Sequence, residues 1–189
     1  MLKEVEKRMK ITDIQETPVS VPQTEPEKWK WGKGGTEGRS SLILKVKTDE
    51  GITGTGEIVG IPSLKVVRSI YEQSKPVFIG KNPFNIEEII QEFYSSGWHF
   101  YRRLSNIVIA GMEMALWDII GKSTGEPIHN LLGGGTRKEI PFTYYIPNKD
   151  IDVVKRSKKV LSEGFETIFM KIWDPSEAVN ILGDLREEV

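Results

Sequence analysis

Residues 140–189 read IPFTYYIPNKDIDVVKRSKKVLSEGFETIFMKIWDPSEAVNILGDLREEV, and the alternation within this stretch decides the architecture. IPFTYYI reads as a strand, and DVVKRSKKVLSE as a helix that Gly164 stops. TIFMKIW reads as a second strand, apolar on both faces, and PSEAVNILGDLREEV as a second helix. Strands that alternate with helices run parallel and are joined by right-handed crossovers. Two parallel strands cannot bury both faces alone, and a closed eight-stranded barrel typically takes about 250 residues. Residues 136–189 are therefore expected to be the first two βα units of an incomplete (β/α) barrel.

Upstream of the Gly133-Gly134-Gly135 break the pattern changes. NIVIAGMEMALWDIIGK has one apolar stripe of Ile109, Met112, Leu116 and Ile119, with a second of Ala110, Met114 and Trp117 beside it. A helix apolar over so much of its surface is expected to be buried, against a sheet and a second domain. Two shorter helices precede it: LKVVRSIYEQ behind Ser63 as a cap, and IEEIIQEFY behind Asn85 with acidic residues in its first turn. Further back, ITDIQETPVSV, SLILKVKT and ITGTGEI read as strands. The last two flank Asp49-Glu50-Gly51, whose glycine supplies the positive φ of a short hairpin. Residues 1–135 are thus expected to form an α+β domain, a three-stranded antiparallel sheet plus helices. Its long loop, VPQTEPEKWKWGKGGTEGRS, has no apolar period, and loops of this length in compact domains are usually functional.

Composition narrows the chemistry. A 38% hydrophobic and 28% charged chain is an ordinary globular one. Its 26 Lys and Arg against 27 Asp and Glu give no general attraction to nucleic acid or to an anionic membrane. No apolar run approaches the roughly 20 residues that span a bilayer, and the charged start MLKEVEKRMK has no apolar segment behind it, so a cytoplasmic location is expected. The absence of cysteine excludes disulfides, thiolate metal sites and cysteine nucleophiles. The only histidines, His99 and His129, are too few and too distant for a histidine site, so any metal would be held by carboxylates, which points to Mg²⁺.

Lys171 is the most informative single residue. An ammonium in the apolar strand TIFMKIW costs free energy unless it has a partner or a polar cavity. Near the carboxyl end of a barrel strand it would face the mouth, where such barrels place their sites, as a general base. The alternative is a strand-end lysine reaching solvent. Tyr144 and Tyr145 end the other strand and point to opposite faces, so at most one faces the mouth; Tyr144 is taken as the substrate-binding candidate. Trp29 and Trp31 place indoles on the polar loop. They could close over a ligand, stack on single-stranded bases or pack on a partner, and packing on the domain's own surface competes equally. No larger basic face supports the nucleic-acid alternative. The glycine clusters lack the strand-to-helix setting of a phosphate loop. His99 and Asp118 are expected to be hydrogen-bonded structural residues.

ALWDIIGKSTGEPIHNLLGGGTR, Ala115 to Arg137, resembles the segment joining capping domain to barrel in the mandelate racemase and muconate lactonizing branch of the enolase superfamily. ALWD-x-x-GK, Gly-x-Pro and LLGG occur in the family's order, and PVSVP, GTGE, FIGKNPFNIEEI and GFETIFMKIWDP extend the likeness over nearly the whole chain. Glu113 stands where Asp is common in relatives. The resemblance implies abstraction of a proton α to a carboxylate, with Mg²⁺ stabilising the enediolate. It also implies that Lys171 is the second lysine of a Lys-x-Lys pair whose first position is here Phe169. Trp29, Trp31 and Ile61 fall in the two capping loops that close over substrate in relatives, which makes them specificity candidates. The family's metal ligands follow on later strands, so the chain is expected to end before them and to be inactive alone. Two readings stay open. One is part of an acid-sugar dehydratase, racemase or cycloisomerase acting on a small carboxylate, as a homo-oligomer or with a complementing barrel half. The other is a truncated, non-catalytic remnant or interaction module.

Overall fold

A computed structural model describes residues 9–23, 30–31, 34–35, 38–146, 152–172 and 174–188. Three strands, β1 (Ile11–Pro22), β4 (Gly38–Thr48) and β5 (Thr53–Val59), form an antiparallel sheet in the order β1-β4-β5. The β4–β5 hairpin turns at Gly51, whose φ of +80° is the left-handed conformation expected there. Alternation along β4 sends Leu42, Leu44 and Val46 into the core. Their partners across the ladder are Ile58, Gly56 and Gly54. Bulky residues on one strand thus face two glycines on the next, which leaves a trough in the buried face of the sheet. Pro18 and Pro22 sit in β1, an edge strand, where a missing N–H can face away from the ladder. Within the expected loop, β2 (Lys30–Trp31) and β3 (Gly34–Gly35) pair as a two-residue antiparallel ladder, with Trp31 opposite Gly34.

The helix α3 (Arg102–Thr124) lies in that trough. A Cβ built on Gly56 would come 2.0 Å from the Gly111 carbonyl oxygen, and one on Gly54 would come 2.1 Å from that of Ala115. No side chain fits between these backbones. Val108, Met112, Leu116 and Ile119 of α3 close the core together with Val67, Ile70 and Tyr71 of α1 (Leu64–Ser74) and Ile89 and Phe93 of α2 (Ile86–Ser95). The first apolar stripe of α3 is buried as expected. The second is not: Ala110 and Met114 are exposed, and Trp117 is half-buried. The segment Trp98–Thr124 is long and apolar enough to cross a membrane by composition, contrary to the expectation that no run was. Its apolar surface is instead used by the sheet and helices around it, and a core helix can meet the same criterion.

Both outer strands of the sheet find partners for part of their free edge. The free edge of β5 offers the Thr55 N–H to the Asp118 carboxylate at 2.8 Å and the Thr53 carbonyl to Lys122 Nζ at 2.8 Å. Lys122 also pairs with Asp118 at 2.7 Å, one helical turn away. At the β1 edge, Ile11 exchanges backbone bonds with Gly80 and Lys81 at 2.8 and 2.9 Å, and Lys75 Nζ donates to the Ile14 carbonyl at 2.6 Å. Strand edges left bare would be templates for aggregation. Ser63 occupies the N-cap position of α1 without a side-chain cap, contrary to expectation; its backbone carbonyl alone accepts, from Val67.

After the short α4 (Ile128–Leu131), residues 136–188 form the expected strand–helix–strand–helix series. β6 (Thr143–Ile146) and β7 (Thr167–Met170) pair in parallel, crossed by α5 (Val153–Ser162) and followed by α6 (Pro175–Glu188). Asp152 caps α5 by accepting from the Lys155 N–H at 2.9 Å, and Gly164 ends it with φ +98°. β6 is shorter than the run IPFTYYI, since Ile140 and Phe142 lie outside it and are exposed. The packing divides the chain into one unit of Met1–Ser20 with Ser40–Gly135 and another of Val21–Arg39 with Thr136–Val189.

Two measurements probe the first unit. Gly56→Ala must push α3 off the sheet, and is expected to destabilise the protein by about 3 kcal/mol in denaturant unfolding, the upper part of the usual overpacking range. Tyr71 is buried, and desolvation with the nearby carboxylates of Glu16, Asp13 and Glu72 raises its phenol well above the ordinary tyrosine value, only partly opposed by Arg68. The folded state therefore keeps a proton that the unfolded chain releases near pH 10, so this contribution is present below about pH 10 and lost as pH rises above it. Thermal melts of Tyr71→Phe between pH 9 and about 11 are expected to fall less steeply than those of the parent.

Candidate active site

The parallel pair has two unlike faces, fixed by its register: Tyr144 lies beside Ile168, Tyr145 beside Phe169, and Ile146 beside Met170. On one face the Tyr144 hydroxyl accepts a hydrogen bond from Arg156 Nη2 of α5, whose guanidinium lies 5.1 Å from the ring centroid. Phe165 meets the same ring edge-on at 5.3 Å, and Ile146 is buried. This is the helix-covered face. On the other, Tyr145 and Phe169 pack ring to ring at 5.3 Å, and Phe169 is 54% exposed.

Lys171 follows Met170 directly, at the carboxyl end of β7. The paired residues end at Met170, so Lys171 stands just beyond the strand's register. It is exposed and lines a small hollow with Ile146, Val153, Met170, Ile172, Glu177 and Ile181. Sequence placed it inside a strand covered on both sides. The strand instead ends one residue earlier, and Lys171 is exposed. Tyr144, the substrate-binding candidate, is turned to α5, where Arg156 donates to its hydroxyl, and Tyr145 lies on the other face beside Phe169. Alternation along one strand could not reveal this, because only the pairing and the crossover helix say which face is covered.

Ile61 belongs to the first unit, in the turn between β5 and α1, and is 53% exposed; the Gly60 N–H beside it donates to the Ser40 carbonyl at 2.8 Å. Trp31 stands in β2, and Trp29 lies outside the described residues. Among the described residues no three histidine or acidic side chains come together as a metal site would require. Asp118 and His99 act structurally: Asp118 on the β5 edge, and His99 through an Nδ1 contact with the Tyr94 carbonyl at 2.8 Å. Glu177, in the first turn of α6 beside Lys171, and Arg156, which fixes Tyr144, were not singled out from sequence. Their only signal there was the helical phase, which needs the strand register to be read.

The sequence model of the mandelate racemase / muconate lactonizing enzyme N-terminal domain matches residues 15–133. The chain belongs to this family. A D-galactonate dehydratase family member from Paenibacillus sp. (strain JDR-2) is 38% identical over 129 residues, covering 67% of this chain and 32% of that protein. A D-galactonate dehydratase from Pectobacterium atrosepticum is 33% identical over 157 residues, 77% of this chain and 41% of its own length. Among solved structures, an N-succinyl Arg/Lys racemase from Bacillus cereus superposes with a TM-score of 0.81 at 26% identity, covering 95% of this chain and 49% of that one. The chain thus spans less than half the length of these family members.

Within the second unit, Arg156 ties the crossover helix to β6. Arg156→Leu is expected to leave the Tyr144 hydroxyl without this donor and to cost about 1–2 kcal/mol. Hydrogen exchange should then quicken at the Tyr145, Ile146 and Met170 amides, while the Leu44 and Ile58 amides of the first sheet keep their protection.

Proposed function

We propose that this chain is the capping domain and opening strands of an acid-sugar dehydratase, with Lys171 as the residue that takes the proton α to the substrate carboxylate. The observation that supports this reading is the position of Lys171, directly after the carboxyl end of a parallel strand. Parallel barrels assemble their chemistry at that end. The likeness to proteins named D-galactonate dehydratase supports an acid-sugar substrate. In such a reaction the α-carbon proton passes to the neutral lysine nitrogen, the β-carbon–oxygen bond breaks, the departing hydroxyl takes a proton from solvent and leaves as water, and the resulting enol tautomerises to a keto acid; the lysine returns its proton to solvent. Removing a carbon-bound proton beside a carboxylate builds up negative charge that needs electrophilic help.

Family chemistry implies that Mg²⁺ supplies this help. The described residues do not fit that role, since no three potential ligands converge, and no step is assigned to a metal here. Phe169, with the Tyr145 ring against it, occupies the strand position two before Lys171. β7 therefore brings one ammonium, and not a pair, to the carboxylate side. Trp29 and Trp31 between β1 and β4, and Ile61 after β5, are assigned to substrate selection, and a complementing set of barrel strands is the partner this reading requires.

The test joins the chain, by fusion or in trans, to strands three to eight of a related barrel. Exchange of the α-proton of D-galactonate and other acid sugars with deuterated solvent is then followed. Lys171→Met should lower exchange by at least about 10²-fold, the typical contribution of a general base, while circular dichroism and Mg²⁺ affinity stay unchanged. Exchange at the parent rate in the Met variant would make Lys171 structural. No exchange by the parent assembly on any acid sugar would favour the non-catalytic module.

A further inference from the structure

The pattern of α6 is broken at one position. Ala178, Ile181 and Leu185 are half-buried and mark the inward side of the helix, while Asp184 and Glu187 are exposed. Glu177, one turn before Ile181, is half-buried with them. Val179 and Leu182, apolar residues that suit such a position, stand exposed instead. A carboxylate drawn off the surface costs free energy unless a cation or hydrogen-bond donors answer it.

A cation lines the same hollow. Glu177 and Ile181 border it from α6, Met170, Lys171 and Ile172 from the end of β7, and apolar residues of β6 and α5 complete the wall. Apart from Lys171 and Glu177 the lining is apolar, so one ammonium and one carboxylate share it. Opposite charges attract more strongly where apolar walls displace part of the water. The other charged groups nearby already hold partners. Asp174 Oδ1 accepts from the Ser176 N–H at 2.9 Å and from Ser176 Oγ at 2.7 Å, Asp152 caps α5, and Arg156 donates to the Tyr144 hydroxyl.

We propose that Glu177 is the positioning residue of Lys171: its carboxylate pairs with the ammonium and holds Nζ beside the carboxyl end of β7. This rests on the function proposed above for Lys171. A lysine nitrogen rides on a long flexible stem. Fixing it before the substrate arrives removes an ordering cost from the chemical step. The same carboxylate offsets the positive charge that the nitrogen acquires with the α-proton. Asp174, whose carbonyl accepts from the Ala178 N–H at 3.2 Å, stands at the N-cap of α6, and Glu177 three residues on also has the spacing of a capping box. Glutamine serves in that box as well as glutamate does, so Glu177→Gln removes the charge and keeps the cap.

Carbodiimide cross-linking of the full chain, read by mass spectrometry, tests the pair directly, because the reagent joins an amine to a carboxylate only where the two touch. Lys171 is expected to join to Glu177 in the folded chain. The yield should fall at least about fivefold in denaturant, where only a short flexible tether keeps the two near each other. A link from Lys171 to Asp174 instead, or a folded yield no higher than the denatured one, would overturn the pairing. The second readout is catalytic and uses the assembly with barrel strands three to eight. There Glu177→Gln is expected to lower kcat for α-proton exchange about 10-fold and to leave KM within about twofold, because positioning acts on the chemical step. In a Lys171→Met background the same substitution should have no further effect, as for a residue that acts through the lysine. A loss that persists without Lys171, or a rise in KM alone, would overturn the positioning role. Failure of the underlying function reads differently. An assembly inactive on every acid sugar, with the cross-link formed, would strike the reaction assigned to Lys171 and leave the pair standing.

Discussion

Everything in the first unit follows from the backbone of α3 lying directly on the backbone of β5. Gly54 and Gly56 open the sheet and Gly111 thins the helix, so that carbonyl oxygens occupy positions where a Cβ would otherwise stand. At this separation the side chains flanking the contact have one way to fit. Leu44 and Val46 rise beside the glycines of the neighbouring strand, and Met112, Leu116 and Ile119 pass over them into the core. The conformational freedom that glycine loses on folding is a real cost, of order 1 kcal/mol per residue. It is offset by the burial of one face of a 23-residue helix, with Val108, Met112, Leu116 and Ile119 in the core.

The same close approach explains why the segment ALWD-x-x-GK carries such a specific signal while holding no chemistry of its own. Ala115 sits over Gly54, Leu116 fills the core, and Asp118 with Lys122 reaches over the helix shoulder to satisfy the outer edge of β5. Gly121 passes close to the Glu126 carbonyl, where the chain leaves the helix through the left-handed Gly125. Each position is set by geometry: one small residue for the approach, one carboxylate for an N–H, one ammonium for a carbonyl. The family is therefore recognised through its scaffold, and the reaction has to be argued from other residues.

This division also separates what sequence revealed from what it hid. The hairpin at Gly51, the buried stripe of α3, the stop at Gly164 and the parallel pairing of β6 with β7 were all legible, because turn glycines and apolar periodicity act within a few residues of themselves. The exposed Ala110–Met114 stripe was misjudged, since composition cannot say which of two apolar faces the sheet takes. Ser63 held the cap position without using its hydroxyl. Facing was the hardest quantity. Tyr144 and Tyr145 are adjacent and chemically alike, and only the register against Ile168 and Phe169 and the guanidinium of Arg156 tell them apart.

The two units differ in how far their own residues determine them. In the first, edge groups at Ile11, Ile14, Thr53 and Thr55 find partners, and the aromatic ladder from Phe78 to Tyr101 fixes even a surface turn. In the second, one face of β6 and β7 is covered by helices and the other carries Tyr145 and Phe169. Lys171 follows β7 directly and is exposed. Wet, it is an ordinary surface cation. On the function proposed above, what the second unit itself supplies is the position of that cation, directly after the carboxyl end of β7; closing water away from it is the general way in which such a group is made reactive.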